Sequence, residues 1–451
     1  MSVIQGVFAR EVLDSRGIPT IECFIWLDTG HVVSSTASSG TSVGKHEALE
    51  LRDNDPNRMA GKGVLTAVNN INQTIAPQLI GKDPTNQVEI DQLLISLDGT
   101  ESKSNLGANA LIAVSQAVLK AGAAVIGVPM YRYVQRLAQN QNELFIPNCI
   151  YTMINGGAHG ADNLDIQEFQ IVPASYIDYS TSLSMAVTIY HKLEEVLISK
   201  GATHSTGMVG GFTPNLYNNT DAFEILVETI KASPFTFAQD VFFGADMSAD
   251  SFHSNGKYVL KDKQQPYSPD ELLEYYRSMR TIYHSFCIED PFQSDDWPAW
   301  KKITADLGQT TLIVGDSLLA TNLQRMNKAI EEKACNAALI KLNQIGTVTE
   351  TIQVVQRAKE AGWQIVLSHR SGESNDDLIA DFAVGIGADY TKFGPPRGGE
   401  RVSKYNRLSY IQVELAAAAQ ASGQAAQTVQ AQQVEPATSQ QGGQQMVQPT
   451  A

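Results

Sequence analysis

Three things are scarce in this chain of 451 residues: cysteine, positive charge and unbroken apolar sequence. The four cysteines, Cys23, Cys149, Cys287 and Cys335, show no CxxC spacing. Three of them (Cys23, Cys287 and Cys335) lie in apolar or strand-like contexts, so buried thiols in a reducing compartment are expected. The formal charge of −15 argues against nucleic-acid binding, because phosphate contacts need a basic surface. It leaves small anionic ligands open, since local cations decide that question. Met1–Ala9 has no long apolar core of the signal-peptide kind. Residues 109–128 form the most apolar stretch, but Ser115, Gln116, Lys120 and Gly122 interrupt it. A buried domain helix is expected there rather than a membrane span. The expectation is a soluble, cytoplasmic protein.

The length calls for two domains. Ile4–Arg10, the turn Asp14-Ser15-Arg16-Gly17 and the alternating run Thr20–Leu27 read as strands. The Ser/Gly-rich segment 34–44 reads as a mobile loop, after which Glu47–Arg52 resumes regular structure. Helices are predicted over Val64–Leu79, Glu89–Leu97 and Ala108–Ile126. Residues 1–135 therefore make a small α+β domain, and a second domain covers 143–415. Residues 416–451 are Ala/Gln-rich with Glu435 as their sole charge. They cannot bury a core, so a disordered tail is expected, its start extending the last helix.

From about 240 to 395, short apolar runs each stop at a charged or reactive residue. Val241–Ala245 stops at Asp246, Phe286–Ile288 at Glu289, Leu312–Gly315 at Asp316, and Ala337–Ile340 at Lys341. Ile365–Leu367 stops at Ser368, His369 and Arg370, and Tyr390–Thr391 at Lys392. The intervals from Asp246 through Glu289, Asp316, Lys341, His369 and Lys392 are 43, 27, 25, 28 and 23 residues, about the length of one strand–helix unit with one longer insertion. Repeated units with parallel strands predict a closed α/β barrel, whose chemistry sits at the C-terminal ends of its strands. Three carboxylates and two lysines then meet on one rim, which reads as a divalent metal site with a base beside it. Any one of these acids alone reads as a surface or ion-paired carboxylate; it is their order at strand ends that carries the metal reading.

Several stretches in order resemble the enolase family, the phosphopyruvate hydratases of glycolysis. They are Asp14–Gly17, Glu47–Asp53, Asn155-Gly156-Gly157-Ala158-His159, Gln167-Glu168-Phe169, Ile288–Phe292, Lys341–Gly346 and Ser368–Glu373. The resemblance spans residues 3–415 and implies an N-terminal α+β domain capping a TIM-like barrel. It implies Mg²⁺ held by Asp246, Glu289 and Asp316, with Ser42 of the loop adding a second Mg²⁺ as that loop closes. It makes Lys341 the base, neutral beside metals and cations, in the established scheme of a Lys or His base with Mg²⁺ at enolase-superfamily sites. Lys392 would hold the substrate carboxylate, and Arg370 and Ser371 the phosphate. His159, Gln167, Glu168 and His369 fall at substrate-contacting positions. The implied partners are a small phosphorylated carboxylate and a second copy in a homodimer.

The chain departs from the family pattern at specific places. The family's Gly-Asp-Glu-Gly-Gly-Phe stands here as Gly207-Met208-Val209-Gly210-Gly211-Phe212. The glutamate that protonates the leaving hydroxide is thus Val209, and loss of a general acid typically costs about 10²–10⁴ in rate. Met208 and Ser317 replace two aspartates. At the implied dimer interface Arg10 and Glu22 lose their ion-pair partners, whose positions are Val413 and Tyr410. The reading is an enolase-like, Mg²⁺-dependent lyase converting 2-phosphoglycerate to phosphoenolpyruvate, impaired, with Glu168, His159 or a metal-bound water as substitute acid. Beside it stand a non-catalytic paralogue that binds a phosphorylated ligand or a protein partner, and a proton-abstracting enzyme with a changed substrate.

Overall fold

The computed structural model describes residues 2–41, 43–261 and 263–421. The chain begins with an antiparallel sheet, β1 (Ile4–Leu13), β2 (Pro19–Leu27) and β3 (Val32–Thr36), in that order. Along β2, Ile21, Cys23, Ile25 and Leu27 are buried while Glu22, Phe24 and Trp26 turn outward, the alternation that a one-sided sheet requires. Against the sheet lie α1 (Leu65–Asn69), a π-helical continuation over Asn70–Ile75, α2 (Ala76–Leu79) and α4 (Ala108–Ile126), while α3 (Gln87–Asp98) and α5 (Met130–Leu137) pack on α4. Helix α4 matches its predicted bounds. It is apolar and long enough to cross a membrane by composition alone, yet it is packed in the core.

Two expectations fail in this part. Ser34–Thr36, read as loop, belongs to β3, because Ser34 and Ser35 pair with Phe24 and Cys23. Glu47–Arg52 takes no regular structure. It is an extended strap whose backbone is tied to neighbours: Leu49 N–H donates to Ser102, Ala48 N–H to Gln344, and Leu51 N–H to Asn109 Oδ1.

The rest is a closed eight-stranded barrel with helices outside. Its elements are β4 (Asn148–Asn155), β5 (Glu168–Pro173), α6 (Tyr179–Ser199), α7 (Asn219–Lys231), β6 (Val241–Asp246), a small hairpin of β7 (His253–Ser254) and β8 (Lys257–Tyr258), and α8 (Pro269–Tyr283). There follow β9 (Ser285–Glu289), α9 (Trp297–Leu307), β10 (Leu312–Gly315), α10 (Leu323–Glu332), β11 (Ala337–Ile340), α11 (Val348–Glu360), β12 (Gln364–Ser368), α12 (Leu378–Ile386), β13 (Tyr390–Lys392) and α13 (Gly399–Ala421). Helix α13 does extend into the Ala-rich start of the tail; residues 422–451 lie outside the described residues.

The barrel order is β10-β11-β12-β13-β4-β5-β6-β9. It is mixed rather than wholly parallel, because β5 runs antiparallel to both β4 and β6. The segment between β4 and β5 holds a single 3-10 turn, Gly157–His159, and a parallel return needs a longer crossover. The reversal matters for the site. It brings the first residue of β5, Glu168, level with the last residues of its neighbours, Asn155 and Asp246.

Inside the barrel a separate apolar cluster contains Ile150, Val172, Cys287, Leu312, Val314, Ala337, Leu339 and Val366, with Tyr390 against it. Residues two further along a strand share its face. The next step from Cys287, Val314, Leu339, Val366 and Tyr390 is Glu289, Asp316, Lys341, Ser368 and Lys392. The polar layer therefore sits directly on the apolar plug.

Candidate active site

That layer is tied together by two ammonium groups. Lys392 Nζ donates to Glu289 Oε2 at 2.6 Å and Oε1 at 2.8 Å, and to Asp246 Oδ2 at 3.2 Å; Glu168 Oε2 is 3.8 Å away. Lys341 Nζ donates to Asp316 Oδ2 at 2.5 Å, and Gln344 Nε2 donates to the other oxygen of that carboxylate at 2.8 Å. Gln167 Nε2 donates to Asp246 Oδ2 at 3.2 Å. Glu168 accepts from Thr152 Oγ1 at 2.8 Å and Gln170 Nε2 at 3.1 Å, and lies 3.1 Å from His159 Nδ1. Thr152 and Gln170 went unnoticed in the sequence. The period-two step from Ile150 and Val172 would have found them.

The anion-binding candidates are equally buried and already partnered. Arg370 Nη1 donates to Glu47 Oε2 at 2.7 Å and to Asn343 Oδ1 at 3.2 Å. Ser371 Oγ accepts from Thr41 N at 2.9 Å and from Arg16 Nη1 at 3.2 Å. Glu47, Thr41 and Arg16 come from the N-terminal part, so the site is walled by both halves of the chain. Ser42, expected as a metal ligand, lies outside the described residues. His369 is buried, and its Nδ1 has no hydrogen-bond partner among the described residues. Thr41, His159, Gln167, Glu168, Asp246, Asp316, Lys341, His369, Arg370, Ser371 and Lys392 share the lining of one hollow of about 50 Å³.

Burial and neighbouring charge set the protonation pattern. Burial pushes Glu168 up, but Lys392 and His159 outweigh it and hold the carboxyl well below the ordinary carboxylate value. Burial also raises Asp316, yet Lys341 brings it below the usual range. Burial and the charge of Asp246 push Glu289 well up. Behind them Asp290, pushed up to about 8 by burial and then by Asp316 and Asp246, accepts from the backbone N–H groups of Asp316 and Ser317. Burial and nearby Arg401 lower His369 far below the usual histidine value, so its imidazole is neutral.

The expected metal cage differs in one respect. Among the described residues no three His, Cys, Asp or Glu side chains stand together as a ready cation cage. The ammonium of Lys392 lies between Asp246 and Glu289 instead. The donor chemistry still fits Mg²⁺, since hard carboxylate oxygens converge and the charge that raises Glu289 is negative. The Val209 position differs too. Val209 is wholly buried and does not line the hollow, while Met208 is 40% exposed and accepts at its Sδ from Thr41 Oγ1 at 2.9 Å.

Two family models match the chain. That for the enolase C-terminal TIM barrel domain covers residues 143–430, and that for the enolase N-terminal domain covers residues 4–134. The chain belongs to the enolase family. The reversed second barrel strand and the sheet-plus-helix cap are thus the architecture of an enolase-type α/β barrel.

Proposed function

We propose that the protein is an enolase-family lyase acting on 2-phosphoglycerate, able to abstract the C2 proton at Lys341 and slow to expel the hydroxide. The observation that supports it is the convergence of Lys341, Lys392 and the carboxylates of Asp246, Glu289 and Asp316 at one barrel mouth. In this reading Asp246, Glu289 and Asp316 hold Mg²⁺, which when bound neutralises the enolate that makes the carbon acid so reluctant. Arg370 and Ser371 take the phosphate, the guanidinium exchanging Glu47 for phosphate oxygens. His369 Nδ1 gains its missing partner in the ligand. Lys341 must shed its proton and move off Asp316 before it can act as a base.

Dehydration lacks its usual acid because position 209 is valine. Glu168 is a poor substitute, as Lys392 and His159 keep it ionised and a carboxylate cannot donate a proton. The experiment is solvent-deuterium exchange at C2 run beside phosphoenolpyruvate formation, at saturating Mg²⁺. Exchange that outpaces product formation is expected; absence of both overturns the catalytic reading. Binding of 2-phosphoglycerate without either reaction would instead support the non-catalytic paralogue, which the buried Val209 favours.

The apolar side chains exposed on the first sheet, Phe8 and Trp26, and on the last helix, Tyr410 and Val413, suit a homodimer contact. Arg10 and Glu22 lend it little, since they pair with each other, Arg10 Nε donating to Glu22 Oε2 at 2.9 Å. Four free, buried thiols fit a cytoplasmic location.

A further inference from the structure

Below the apolar plug, at the end of the barrel opposite the hollow, lies a separate pocket of about 350 Å³. Val172 of the plug lines it, as do Phe242, Phe286 and Tyr390, which stand at the first or second positions of β6, β9 and β13. The ring centroids of Phe242 and Phe286 are 6.4 Å apart at 46°, and those of Phe286 and Tyr390 are 5.9 Å apart at 53°. Rings so inclined do not cover one another, and each is only half-buried, so aromatic surface stays open to the pocket. A fourth ring, Tyr176, stands at the rim and is 68% exposed. Among the described residues no lysine or arginine lines the space. Negative charge does stand behind it. Tyr176 Oη donates to Asp240 Oδ1 at 2.7 Å, and Asp240 Oδ2 accepts from Thr236 N at 2.8 Å, with no cation among the described residues paired to that carboxylate. Asp389, next to Tyr390, is a second carboxylate at this end, its charge offset in part by Lys359.

We propose that this pocket binds a small organic cation with a quaternary ammonium head, its methyl groups set against Phe242, Phe286 and Tyr390. The face of an aromatic ring is negative and attracts a cation, and several rings around one space are the arrangement that recognises such heads. A trimethylammonium group has no N–H donors to satisfy, so walls made mostly of carbon do not leave it short of partners. It also carries the charge that Asp240 and Asp389 favour, whereas an anion is repelled there. The volume suits a small molecule and is too little for a peptide helix. The plug of Val172, Cys287 and Val366 separates this pocket from the hollow, so the inference stands apart from the reading of the hollow's chemistry.

The test is calorimetric titration of the full chain with choline and with its uncharged carbon isostere, in which a tert-butyl group replaces the trimethylammonium. The two have the same shape, so burial of apolar surface contributes alike to both and the difference reads the cation's attraction to the rings. Choline should bind about tenfold or more tighter than the isostere. Phe286→Leu keeps an apolar side chain and removes a ring, and should weaken choline by about fivefold while leaving the isostere nearly unchanged. Tyr176→Ala alters an exposed side chain that the fold does not need, so it decides the matter if Phe286→Leu fails to fold; it should weaken choline in the same direction. Equal affinity for the two ligands overturns the inference and leaves only an apolar cavity. Failure of choline to bind overturns it as well. A preference for choline that survives both substitutions places the cation elsewhere, among the carboxylates of the hollow for instance, and overturns it too.

Discussion

Lys341 holds its Nζ 2.5 Å from Asp316 Oδ2, so the proposed base and a proposed metal ligand are paired with one another. Catalysis at this amine therefore depends on what else binds Asp316.

Removal of the amine gives the first prediction. Lys341→Met should reduce C2 deuterium exchange by about 10²–10⁴, the usual loss for a general base. Proton NMR of 2-phosphoglycerate in deuterated buffer reads the rate directly. Exchange at an undiminished rate would move the base elsewhere.

A second prediction concerns Mg²⁺. If Asp246 and Glu289 give up Lys392 to hold the cation, Mg²⁺ should stabilise the fold by about 2.7 kcal/mol at a hundredfold excess over its Kd. A chelator should reverse the shift. The double variant Asp246→Asn with Glu289→Gln should show no Mg²⁺-dependent change in Tm, measured by differential scanning calorimetry.

Restoring the acid is the third. Val209→Glu should raise phosphoenolpyruvate formation by about tenfold or more while altering C2 exchange little. Because Val209 is fully buried, the new carboxyl is placed at a desolvated position and Tm should fall. Parallel assays of both reactions, with a melting curve, separate recovered chemistry from damage to the fold.

The pairing of the two halves of the chain makes the fourth. Asp376, just before α12, takes hydrogen bonds from Ser35 Oγ at 2.8 Å and Thr36 N at 3.0 Å and an ion pair from Lys120 at 2.8 Å. Burial raises Asp376, but Lys120 and these donors hold it below the ordinary carboxylate value. A depressed folded-state value means stability that is present above the unfolded carboxylate pKa of about 3.9 and lost as pH falls through the folded value. Asp376→Asn should cost about 3 kcal/mol at neutral pH. In urea titrations the gap from the unaltered protein should narrow below about pH 4.

The fifth is assembly. Val413→Arg, or Phe8→Arg on the sheet face, should halve the mass seen by light scattering if these exposed side chains form the homodimer contact. An unchanged mass would place any interface elsewhere.

Much of this was legible in the chain itself. Period-two alternation in β2 and the near-regular spacing of Glu289, Asp316, Lys341, His369 and Lys392 announced a sheet and a barrel with its chemistry at the strand ends. Those features are local, because each strand's inward face and its last residue are set by its own pattern. The tertiary structure decided what depends on partners distant in sequence. It reversed β5, which brings Glu168 to the mouth beside Asp246. It set Lys392 between Asp246 and Glu289, and it turned Glu47 and Thr41 from the first 50 residues into walls of the same hollow, with Arg16 bonded to Ser371 behind it. Such placements follow from closure of the barrel and docking of the cap, and no window of sequence contains both sides of those contacts.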